Sequence, residues 1–500
     1  MQNSSFDVVV LGAGIVGCMV ARHLARYDLS IALVDRANDV GVGASSANSA
    51  ILHSGHDPEP GSNKAALNRR GNQLWHHLVE ELEIGHRWCG AMVVAVGGEE
   101  RRRLGALIRR GRQNGIEGLR ILGREETLHR EPLLTPDAEG ALWTPTAGVI
   151  DPFGATIAVA ENAVENGVRL ILDADVHDAI VEHGRLTGVC SARGDIHGHI
   201  FVNSLGGHAD GFMHLVGDRP GFRITPRRGE YLIFDPDRVQ VNNVLFPMPS
   251  TKGKGILVST TAHGNTFVGP NATEISGKDD TASTREGMRE ILAGARRLVP
   301  GLDQRDVIAS FSGIRATGNY NRDFLIETSG SVQGLINIAG IESPGFVAAP
   351  AIAERVEELL RQSGVALEAR GDWASRRRAQ PSFKELSHEQ RARLIRTEPC
   401  YGRIVCRCET VTEGEIVAAI RSSIPATSYD AIKRRCWLGT GRCQGGFDYP
   451  RVIRILAREL RLPMTAVTKK GAGSEFLYRA TKVVENEAEV QCRPIHDTTS

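Results

Sequence analysis

The chain has 500 residues, of which 41% are hydrophobic and 24% are charged, and its formal net charge is +1. These proportions are ordinary for folded proteins and argue against a chain that is disordered throughout. A net charge so close to zero gives no electrostatic reason to expect a nucleic acid or an anionic membrane as the partner. The length allows about three domains of ~150 residues.

The N-terminal segment MQNSSFDVVVLGAG has no basic start and no long apolar run, unlike a secretory signal. No stretch approaches the ~18 uncharged apolar residues that cross a bilayer. We therefore expect a cytoplasmic protein, with peripheral association at the inner face of a membrane only through a partner.

The first predicted elements form a βαβ unit, with a strand over 6–11, a helix from Ile15 to Tyr27 and a strand from Ser30 to Asp35. Strand-like and helix-like segments then alternate, which predicts an α/β (α+β) fold with a Rossmann-like domain; the β-type runs between 223 and 270 suggest an additional sheet. The further strands are expected at 168–173, 199–204, 231–234, 265–269 and 335–339, and the further helices at 65–82, 99–114, 155–166, 284–298 and 351–362.

A glycine motif lies between the first predicted strand and the first helix, at Gly12, Gly14 and Gly17. The first glycine permits a tight turn, the second lets a diphosphate approach the backbone, and the third allows close helix–strand packing. Asp35 ends the second strand, where a carboxylate can accept a hydrogen bond from a ribose hydroxyl. Together these features predict a dinucleotide site.

Three further segments favour FAD over NAD as the dinucleotide. The small, polar stretch 43–55 follows the βαβ unit and can pass under a diphosphate and a flavin. Strands leading into glycine turns occur at 201–207 and 336–346, and a helix after the latter can direct its N-terminus at the flavin. The predicted contacts in these segments are Ser45, Ser46, Asn48, Ser49, Gly206, Gly340, Gly345 and Phe346.

These segments resemble the glycine/D-amino-acid oxidase superfamily of FAD-dependent oxidoreductases over residues 6–362. Within it, the similarity is greatest to the family of the anaerobic glycerol-3-phosphate dehydrogenase large subunit, while the pattern NSxxxHSG followed by PGS is shared with L-2-hydroxyglutarate oxidases. No His or Cys clearly matches a covalent flavin attachment, so dissociable FAD is expected. The resemblance rests on GAGIVG, SSANSAILHSGHDPEPGS, GVIDPFGATIAVAENAVENGV, ITPRRGEYLIFD, TKGKGILVSTTAHGNTFVGPNA, FSGIRAT and GIESPGFVAAPAIA.

The resemblance implies a division of the chain into an oxidoreductase domain and a smaller C-terminal part. The oxidoreductase would occupy 1–365, with an interleaved β-sheet substrate domain. A polar linker is predicted over 366–398, a small helical cysteine-rich domain over 399–465 and a tail over 466–500. The FAD-binding segments would be about 1–80, 145–215 and 310–365, and the substrate segments about 81–144 and 216–309.

Five of the nine cysteines lie between Cys400 and Cys443, which indicates metal or redox chemistry in a chain without an export signal. Cys406 and Cys408 begin a stretch that ends in KRRCWLGTGRCQGGFD and resembles the bacterioferritin-associated ferredoxin-like (BFD-like) [2Fe–2S] domain. Soft thiolates suit iron in both of its oxidation states.

The sequence departs from that domain's pattern at Asp448, where relatives place a cysteine five positions after Cys443. An Asp oxygen can ligate iron but would change the potential, and Cys436 is a candidate replacement ligand, with Cys400 a weaker one. A [2Fe–2S] cluster is expected; zinc in the same ligands, or a degenerate domain that serves only for docking, are the alternatives.

A flavin dehydrogenase must orient its substrate and accept a proton as hydride leaves for the flavin. The candidates for proton acceptor are His53, in the HSG turn, and His263. Arg315 is the candidate anchor for an anionic substrate, since a guanidinium fits phosphate and carboxylate alike. Arg228 and Lys254 could contribute.

The resemblance implies a dehydrogenase of a small anionic alcohol, with sn-glycerol 3-phosphate favoured. Electrons would pass through the iron–sulfur centre to quinone or to an electron-transfer partner. A 2-hydroxy acid such as L-2-hydroxyglutarate is the nearest alternative, followed by an amine or opine. A non-catalytic redox or docking subunit is the alternative from a different class.

Overall fold

The computed structural model describes residues 5–219, 221–249, 255–320 and 322–479. The strands, in chain order, are β1 (Ser5–Leu11), β2 (Ile31–Val34), β3 (Ile51–Leu52), β4 (His86–Arg87), β5 (Ala91–Val96), β6 (Arg120–Gly123), β7 (Ala138–Thr144), β8 (Gly148–Ile150), β9 (Arg169–Ile171), β10 (Val176–Glu182), β11 (Arg185–Ser191), β12 (Gly194–Asn203), β13 (Ile224–Phe234), β14 (Val244–Pro247), β15 (Leu257–Thr260), β16 (Thr266–Gly269), β17 (Thr273–Glu274), β18 (Val307–Gly318), β19 (Leu325–Thr328), β20 (Leu335–Ala339), β21 (Ile404–Cys406) and β22 (Val411–Thr412).

The helices are α1 (Ile15–Leu24), α2 (Asn63–Glu81), α3 (Gly98–Gln113), α4 (Arg124–Arg130), α5 (Pro152–Glu165), α6 (Ala209–Leu215), α7 (Arg285–Arg296), α8 (Gly345–Gln362), α9 (His388–Thr397), α10 (Glu413–Ile420), α11 (Tyr429–Cys436) and α12 (Tyr449–Leu460). The predicted start of α8 was six residues late, after Pro350. The helix includes this proline, which removes only one backbone donor.

The first sheet has the order β10-β11-β12-β1-β2-β9, extended beside β12 by β20 and then β19. β1 is parallel to both β2 and β12, so the carboxyl ends of these three strands lie at the same edge of the sheet. Helices α1, α5 and α8 bury their apolar residues in a core on one face, and α6 packs into a second core on the other. The buried, β-branched strands are typical of a parallel sheet covered by helices.

The second sheet has the order β17-β13-β16-β15-β14-β5-β7-β6, with β18 also paired to β13. It combines strands from the two predicted substrate segments with β18, which begins at Val307 and returns toward the first sheet. The additional sheet predicted over 223–270 is therefore larger than expected, because β5, β6 and β7 join it through the parallel pairing of β14 with β5.

The C-terminal module packs α10, α11 and α12 around their own apolar core beside the two-stranded sheet of β21 and β22. The polar segment before it lies along the oxidoreductase domain, where Arg377 Nε donates to Glu161 Oε2 at 2.6 Å. After the module, Val467 is buried and Phe476 packs against Tyr449. The described part of the predicted tail therefore contributes Val467 and Phe476 to the module's core.

Candidate functional site

A cavity of about 1990 Å³ opens where β1, β2 and β12 end. Leu11, Asp35 and Ser204, which end or follow these strands, line it. Ligands of open parallel sheets bind at such carboxyl ends. The second sheet and the C-terminal module complete its walls, so one cavity is shared by all three parts of the protein.

The glycine motif forms a cradle that side chains would fill. A Cβ atom on Gly17 would lie 1.9 Å from the Gly12 carbonyl oxygen, and one on Gly12 would lie 2.6 Å from the Ser204 carbonyl oxygen. Gly12 also has φ +100°, a conformation that favours glycine. Gly12 and Gly14 line the cavity, while Gly17 packs behind them. This bare backbone at the start of α1 fits a diphosphate.

Asp35 lines the cavity next to this cradle. Its Oδ2 accepts from the Ala13 amide at 2.7 Å and its Oδ1 from the Ala37 amide at 2.8 Å. Burial raises the pKa of Asp35, although these two hydrogen bonds oppose the shift. The carboxylate is therefore fixed in the position where the sequence predicts a ribose contact.

The small polar segment crosses the N-terminus of α1, where Ser45 Oγ accepts from the Ile15 amide at 2.8 Å. Gly340 does not line the cavity; a Cβ there would lie 3.2 Å from the Asp323 carbonyl oxygen, so this glycine allows a close backbone approach. The predicted FAD contacts that do line the cavity are Ser45, Ser46, Asn48, Ser49, Gly206, Gly345 and Phe346.

His53 and Arg315 line the same cavity beneath aromatic side chains of the second sheet. Arg315 Nη2 donates to the Asn271 carbonyl at 2.7 Å, which fixes one edge of the guanidinium. His53 Nε2 lies 3.4 Å from Ser343 Oγ, at the turn before α8. Burial raises the pKa of Tyr231, with neighbouring Arg315 opposing the shift. The structure thus brings the predicted proton acceptor and anion anchor into one apolar-walled space.

His263 lies on a different wall, at the junction with the C-terminal module. Its ring packs 4.1 Å from the ring of Trp437, and its Nε2 is 3.5 Å from Asp151 Oδ2, too long for a strong hydrogen bond. Asp151 Oδ2 accepts instead from the Trp437 indole at 3.1 Å. This position indicates that His263 helps to hold the C-terminal module against the oxidoreductase domain.

Arg228 and Lys254 are the two additional basic residues that the sequence suggested for binding an anionic substrate. Arg228 is buried and forms an ion pair with Asp280 at 2.9 Å, so its charge is already partnered. Lys254 lies outside the described residues.

Residues that the sequence analysis did not single out attach the C-terminal module to the oxidoreductase domain beside the cavity. Buried Asp39 accepts from both Arg434 Nη2, at 2.7 Å, and Arg435 Nη1, at 2.9 Å. Trp437, which follows α11 with φ +60°, lines the cavity together with Thr440 of the next turn. The run KRRCW beside the cysteines was the one available signal, because charged and aromatic residues in such a segment favour an interface.

The candidate ligands of the module form two pairs, Cys408 with Cys443 and Cys406 with Asp448. Burial raises the pKa of Cys408, and hydrogen bonding with the Cys443 thiol adds to the effect. Burial likewise raises the pKa of Cys406, and the neighbouring Asp448 carboxyl contributes. Over the described ranges, no three His, Cys, Asp or Glu side chains gather closely enough to hold one metal ion. Two pairs are nevertheless what a [2Fe–2S] cluster needs, since each of its irons takes two protein ligands.

Asp448 provides the test of whether this donor set fits a cluster. Its Oδ1 accepts from the Tyr429 hydroxyl at 2.8 Å, and the carboxyl lies beside the Cys406 thiol, but its buried Oδ2 has no partner of good hydrogen-bond geometry among the described residues. An unsatisfied buried carboxylate oxygen is costly, and a metal is one way to satisfy it. Cys406, Cys408, Cys443 and Asp448 therefore fit a cluster with three thiolates and one carboxylate.

The other two cysteines are placed outside these pairs. The Cys436 thiol donates to the Ile432 carbonyl at 3.2 Å, a bond inside its own helix, and burial raises its pKa. Cys400 lies in the turn before β21. Neither belongs to one of the two pairs, and Cys436 packs against the module's core.

Comparison with known proteins agrees with this architecture. Residues 7–359 match the family described as FAD dependent oxidoreductase. The chain belongs to this family. Residues 404–458 match the BFD-like [2Fe-2S] binding domain. The predicted fold class, enzyme class and cofactors, FAD and a [2Fe–2S] cluster, are thereby confirmed for this FAD-dependent oxidoreductase.

Its relatives differ in the substrate they are named for. A glycerol 3-phosphate dehydrogenase of Caloramator mitchellensis is 42% identical over 478 residues, 95% of this chain and 99% of the relative. An L-2-hydroxyglutarate dehydrogenase of Arabidopsis thaliana is 29% identical, covering 70% of this chain and 82% of the relative. The structure of L-alpha-glycerophosphate oxidase from Mycoplasma pneumoniae with FAD bound aligns with a TM-score of 0.72 and 28% identity, over 76% of this chain and all of that one.

The oxidoreductase shows no membrane-spanning candidate within the part of the chain that the structure describes: each helix there is too short or too polar to cross a bilayer.

Proposed function

We propose that this oxidoreductase is a dehydrogenase of sn-glycerol 3-phosphate that forms dihydroxyacetone phosphate. The observation that carries the proposal is the 42% identity to the Caloramator glycerol 3-phosphate dehydrogenase over 95% of this chain. That alignment is long enough to include both the oxidoreductase domain and most of the cysteine module. The module's presence in the aligned length favours a dehydrogenase that passes electrons onward.

The cavity supports an anionic alcohol as the substrate. Arg315 is held on one edge by the Asn271 carbonyl, lies against Tyr231 and lines the cavity, where its planar fork can meet the phosphate. Tyr231 and Phe246 form an apolar wall nearby that excludes water around the carbon skeleton. A guanidinium against such a wall binds a phosphate more strongly than it would in water.

His53 is proposed to take the proton of the C2 hydroxyl. Bound FAD supplies the hydride acceptor, so two electrons and one proton leave C2 as hydride and the hydroxyl proton must leave separately. The His53 ring lies 5.8 Å from the Phe246 ring and lines the same cavity as Arg315. Its contact with Ser343 Oγ orients the imidazole for this exchange.

The electrons are proposed to leave through the cysteine module to quinone or to a partner protein. Thr440 and Gln444, on either side of Cys443, line the same cavity as the FAD-binding glycines. This proximity favours transfer within one chain rather than direct reoxidation of the flavin by an external acceptor.

The test is anaerobic reduction of the purified holoenzyme in a stopped-flow spectrometer. We expect sn-glycerol 3-phosphate to bleach the visible flavin band and L-2-hydroxyglutarate to leave it oxidised. Bleaching by L-2-hydroxyglutarate alone would contradict the proposal, and bleaching by neither would direct the search to amines.

L-2-hydroxyglutarate is the second candidate because of the 29% identical Arabidopsis relative and because an arginine fork accepts carboxylate as well. An Arg315→Lys variant sharpens the test, since lysine keeps the charge and loses the fork. We expect its kcat/KM for the true substrate to fall by about 10²-fold, while FAD content is unchanged.

A further inference from the structure

Helix α12 exposes a stripe made entirely of arginine. Its buried residues, Val452, Ile453, Ile455 and Leu456, face the core of the module. Arg451, Arg454 and Arg458 are exposed on the opposite side. The spacing of three and four residues places them on one helical face.

Two more arginines extend this stripe across the neighbouring strand. Arg451 Nη1 donates to the Ile404 carbonyl at 3.1 Å, which places α12 beside β21. Arg403, just before that strand, and Arg458 reach the same carboxylate of Glu413, at 3.4 Å and 2.8 Å. Arg407, just after the strand, is exposed. Arg403, Arg407, Arg451, Arg454 and Arg458 are called the arginine face below.

The carboxylates next to the arginine face are largely buried and already neutralised. Glu413 is bound by two of the arginines, and Glu459 is bound by Arg421 at 2.7 Å. Glu409 pairs with Lys384 at 3.1 Å. Arg407 and Arg454 have no ion pair with any described residue. The charge presented outward is therefore positive, although the chain as a whole is almost neutral.

One aromatic side chain and one predicted cluster ligand stand on this side of the module. Phe447, which is 86% exposed, precedes Asp448 at the start of α12. Cys408, beside Arg407, is exposed as well. Glu409, which follows Cys408, and Thr440 and Gln444, which flank Cys443, line the FAD cavity. The exposed Cys408 thus stands in sequence between a residue of the arginine face, Arg407, and a residue of the cavity wall, Glu409.

We propose that the arginine face, with Phe447 as its apolar anchor, is the docking surface for an acidic protein that carries one electron at a time. Arginine forks pair with carboxylates in two hydrogen bonds, and aromatic residues and arginine are the side chains enriched in protein interfaces. An anionic membrane is a poorer fit, because insertion depends on buried apolar area and only three large apolar side chains, Phe447, Leu477 and Tyr478, are exposed on the described residues near the start of α12, against five arginines. The exposed apolar residues Leu462 and Met464 follow the opposite end, about 16 Å away along the helix.

The transfer is balanced without bond changes. A cluster held by Cys406, Cys408, Cys443 and Asp448 would supply one electron at a time, so two docking events, in each of which the carrier gains one electron, would remove the pair taken from each substrate molecule. The inference rests on the proposed electron transfer through the module. It specifies the acceptor as an acidic protein that takes up one electron at a time.

The test uses the full-length holoenzyme and an acidic [2Fe–2S] ferredoxin as the probe, with basic cytochrome c as the carrier of opposite charge. Binding is measured by calorimetry with oxidised proteins, so its outcome does not depend on the substrate. We expect measurable affinity for the ferredoxin and none for cytochrome c, and a decrease of about 10-fold or more when salt rises from low to high ionic strength.

The charge-reversal variant R407E/R454E tests the surface itself. It should weaken ferredoxin binding at least about 10-fold, whereas the control R285E/R289E, with the same change of net charge on exposed positions of α7, should not. Phe447→Ala should also weaken binding, with unchanged thermal stability because the side chain is exposed.

Equal affinities of the R407E/R454E variant and its control would overturn the proposal. Binding to phosphatidylglycerol vesicles but not to ferredoxin would overturn it in favour of a membrane surface. Flavin bleaching by sn-glycerol 3-phosphate is measured on the same samples, so failure of docking is distinguishable from failure of the proposed function.

Discussion

The dinucleotide cradle and the cysteine site are built in opposite ways. The cradle is made of backbone, and Gly12 and Gly17 leave no room for a side chain, as the 1.9 Å separation at Gly17 shows. The cysteine site is made of side chains at the ends of short loops, and one of its four candidate ligands is a carboxylate, Asp448. A site shaped by backbone constrains the sequence at every position, whereas a site of donor atoms can exchange one donor for another.

The two regions also differ in how they meet. The cradle is formed within the first 17 residues, while the cysteine module reaches it through a buried carboxylate, Asp39, and arginines almost 400 positions later. The junction is thus a place where one substitution can separate the two cofactors without damaging either site. The predictions below test this contrast.

The largest effect is expected from Gly17→Ala. The added methyl group would overlap the Gly12 carbonyl, and backbone cannot move aside without opening the β1–α1 packing. We expect a loss of more than about 4 kcal/mol in the free energy of unfolding, or no folded protein. Thermal unfolding and FAD content are the measurements. Gly301→Ala, with no atom within 4 Å of the new Cβ, is the control and should behave as wild type.

Asp39→Asn should separate the module from the oxidoreductase. It removes the counter-charge of two largely buried arginines, a change that costs about 3–5 kcal/mol in comparable buried pairs. Limited proteolysis between residues 380 and 400 measures the separation, and faster cleavage is expected. Asp372→Asn, which affects an exposed pair with Arg370, is the matched control. Equal cleavage of the two variants would show that the junction does not depend on this pair.

The same junction predicts a pH dependence. Burial alone would raise the pKa of Asp39, but the guanidinium groups of Arg435 and Arg434 outweigh it and hold the pKa below its usual range. A depressed pKa in the folded state contributes stability that is complete above the ordinary carboxyl pKa of about 3.9 and is lost as the pH falls through the folded value. An acid-tolerant protease should therefore cleave the wild-type protein faster only when the pH falls below about 3.9. The Asp39→Asn variant should already be cleaved faster than wild type at neutral pH.

The cysteine site should tolerate an exchange of donors but not the loss of one. Asp448→Cys is expected to retain iron and to change the visible spectrum, because it replaces a hard ligand by a thiolate. Asp448→Ala should lose at least about half of the iron, since one of the four protein ligands is removed. Iron analysis and electron paramagnetic resonance of the reduced protein measure this. Cys436→Ser, at a thiol bonded within α11, should keep its iron, and iron loss there would assign it to the ligand set.

The smallest effect is expected from Trp437→Phe. Phenylalanine keeps the ring beside His263 and loses only the indole donor to Asp151, a loss of about 1.5 kcal/mol for a hydrogen bond to a charged group. Unfolding of the full chain should show this decrease, with FAD content unchanged. Trp88→Phe is the control, because it removes an indole that stacks on His76 at 3.8 Å and has no bond to a carboxylate among the described residues. An equal decrease in the free energy of unfolding of Trp88→Phe would show that the effect of Trp437→Phe does not come from the Asp151 contact.

Much of the fold was predictable because its signals are local. Gly17 satisfies a steric demand of the Gly12 carbonyl, five residues earlier, and Gly12 has a φ of +100° that favours glycine, so the spacing of the motif alone predicted the cradle. The pair Cys406 and Cys408 and the later Cys443 likewise carry their chemistry in their identity. The helix α9 was foreseeable from Ser387 and Gln390, which cap it reciprocally.

Contacts between distant segments were decided only by the tertiary structure. His53 and Arg315 share a cavity because β18 runs from the second sheet back toward the first, a path that no local pattern encodes. Trp437 and the arginines of α11 had no reason, in sequence, to meet Asp151 and Asp39. The sequence by itself determined which cofactors the two domains bind, through residues whose geometry is local. The packing of whole faces determined that both cofactor sites border one cavity, because such packing depends on side chains hundreds of residues apart.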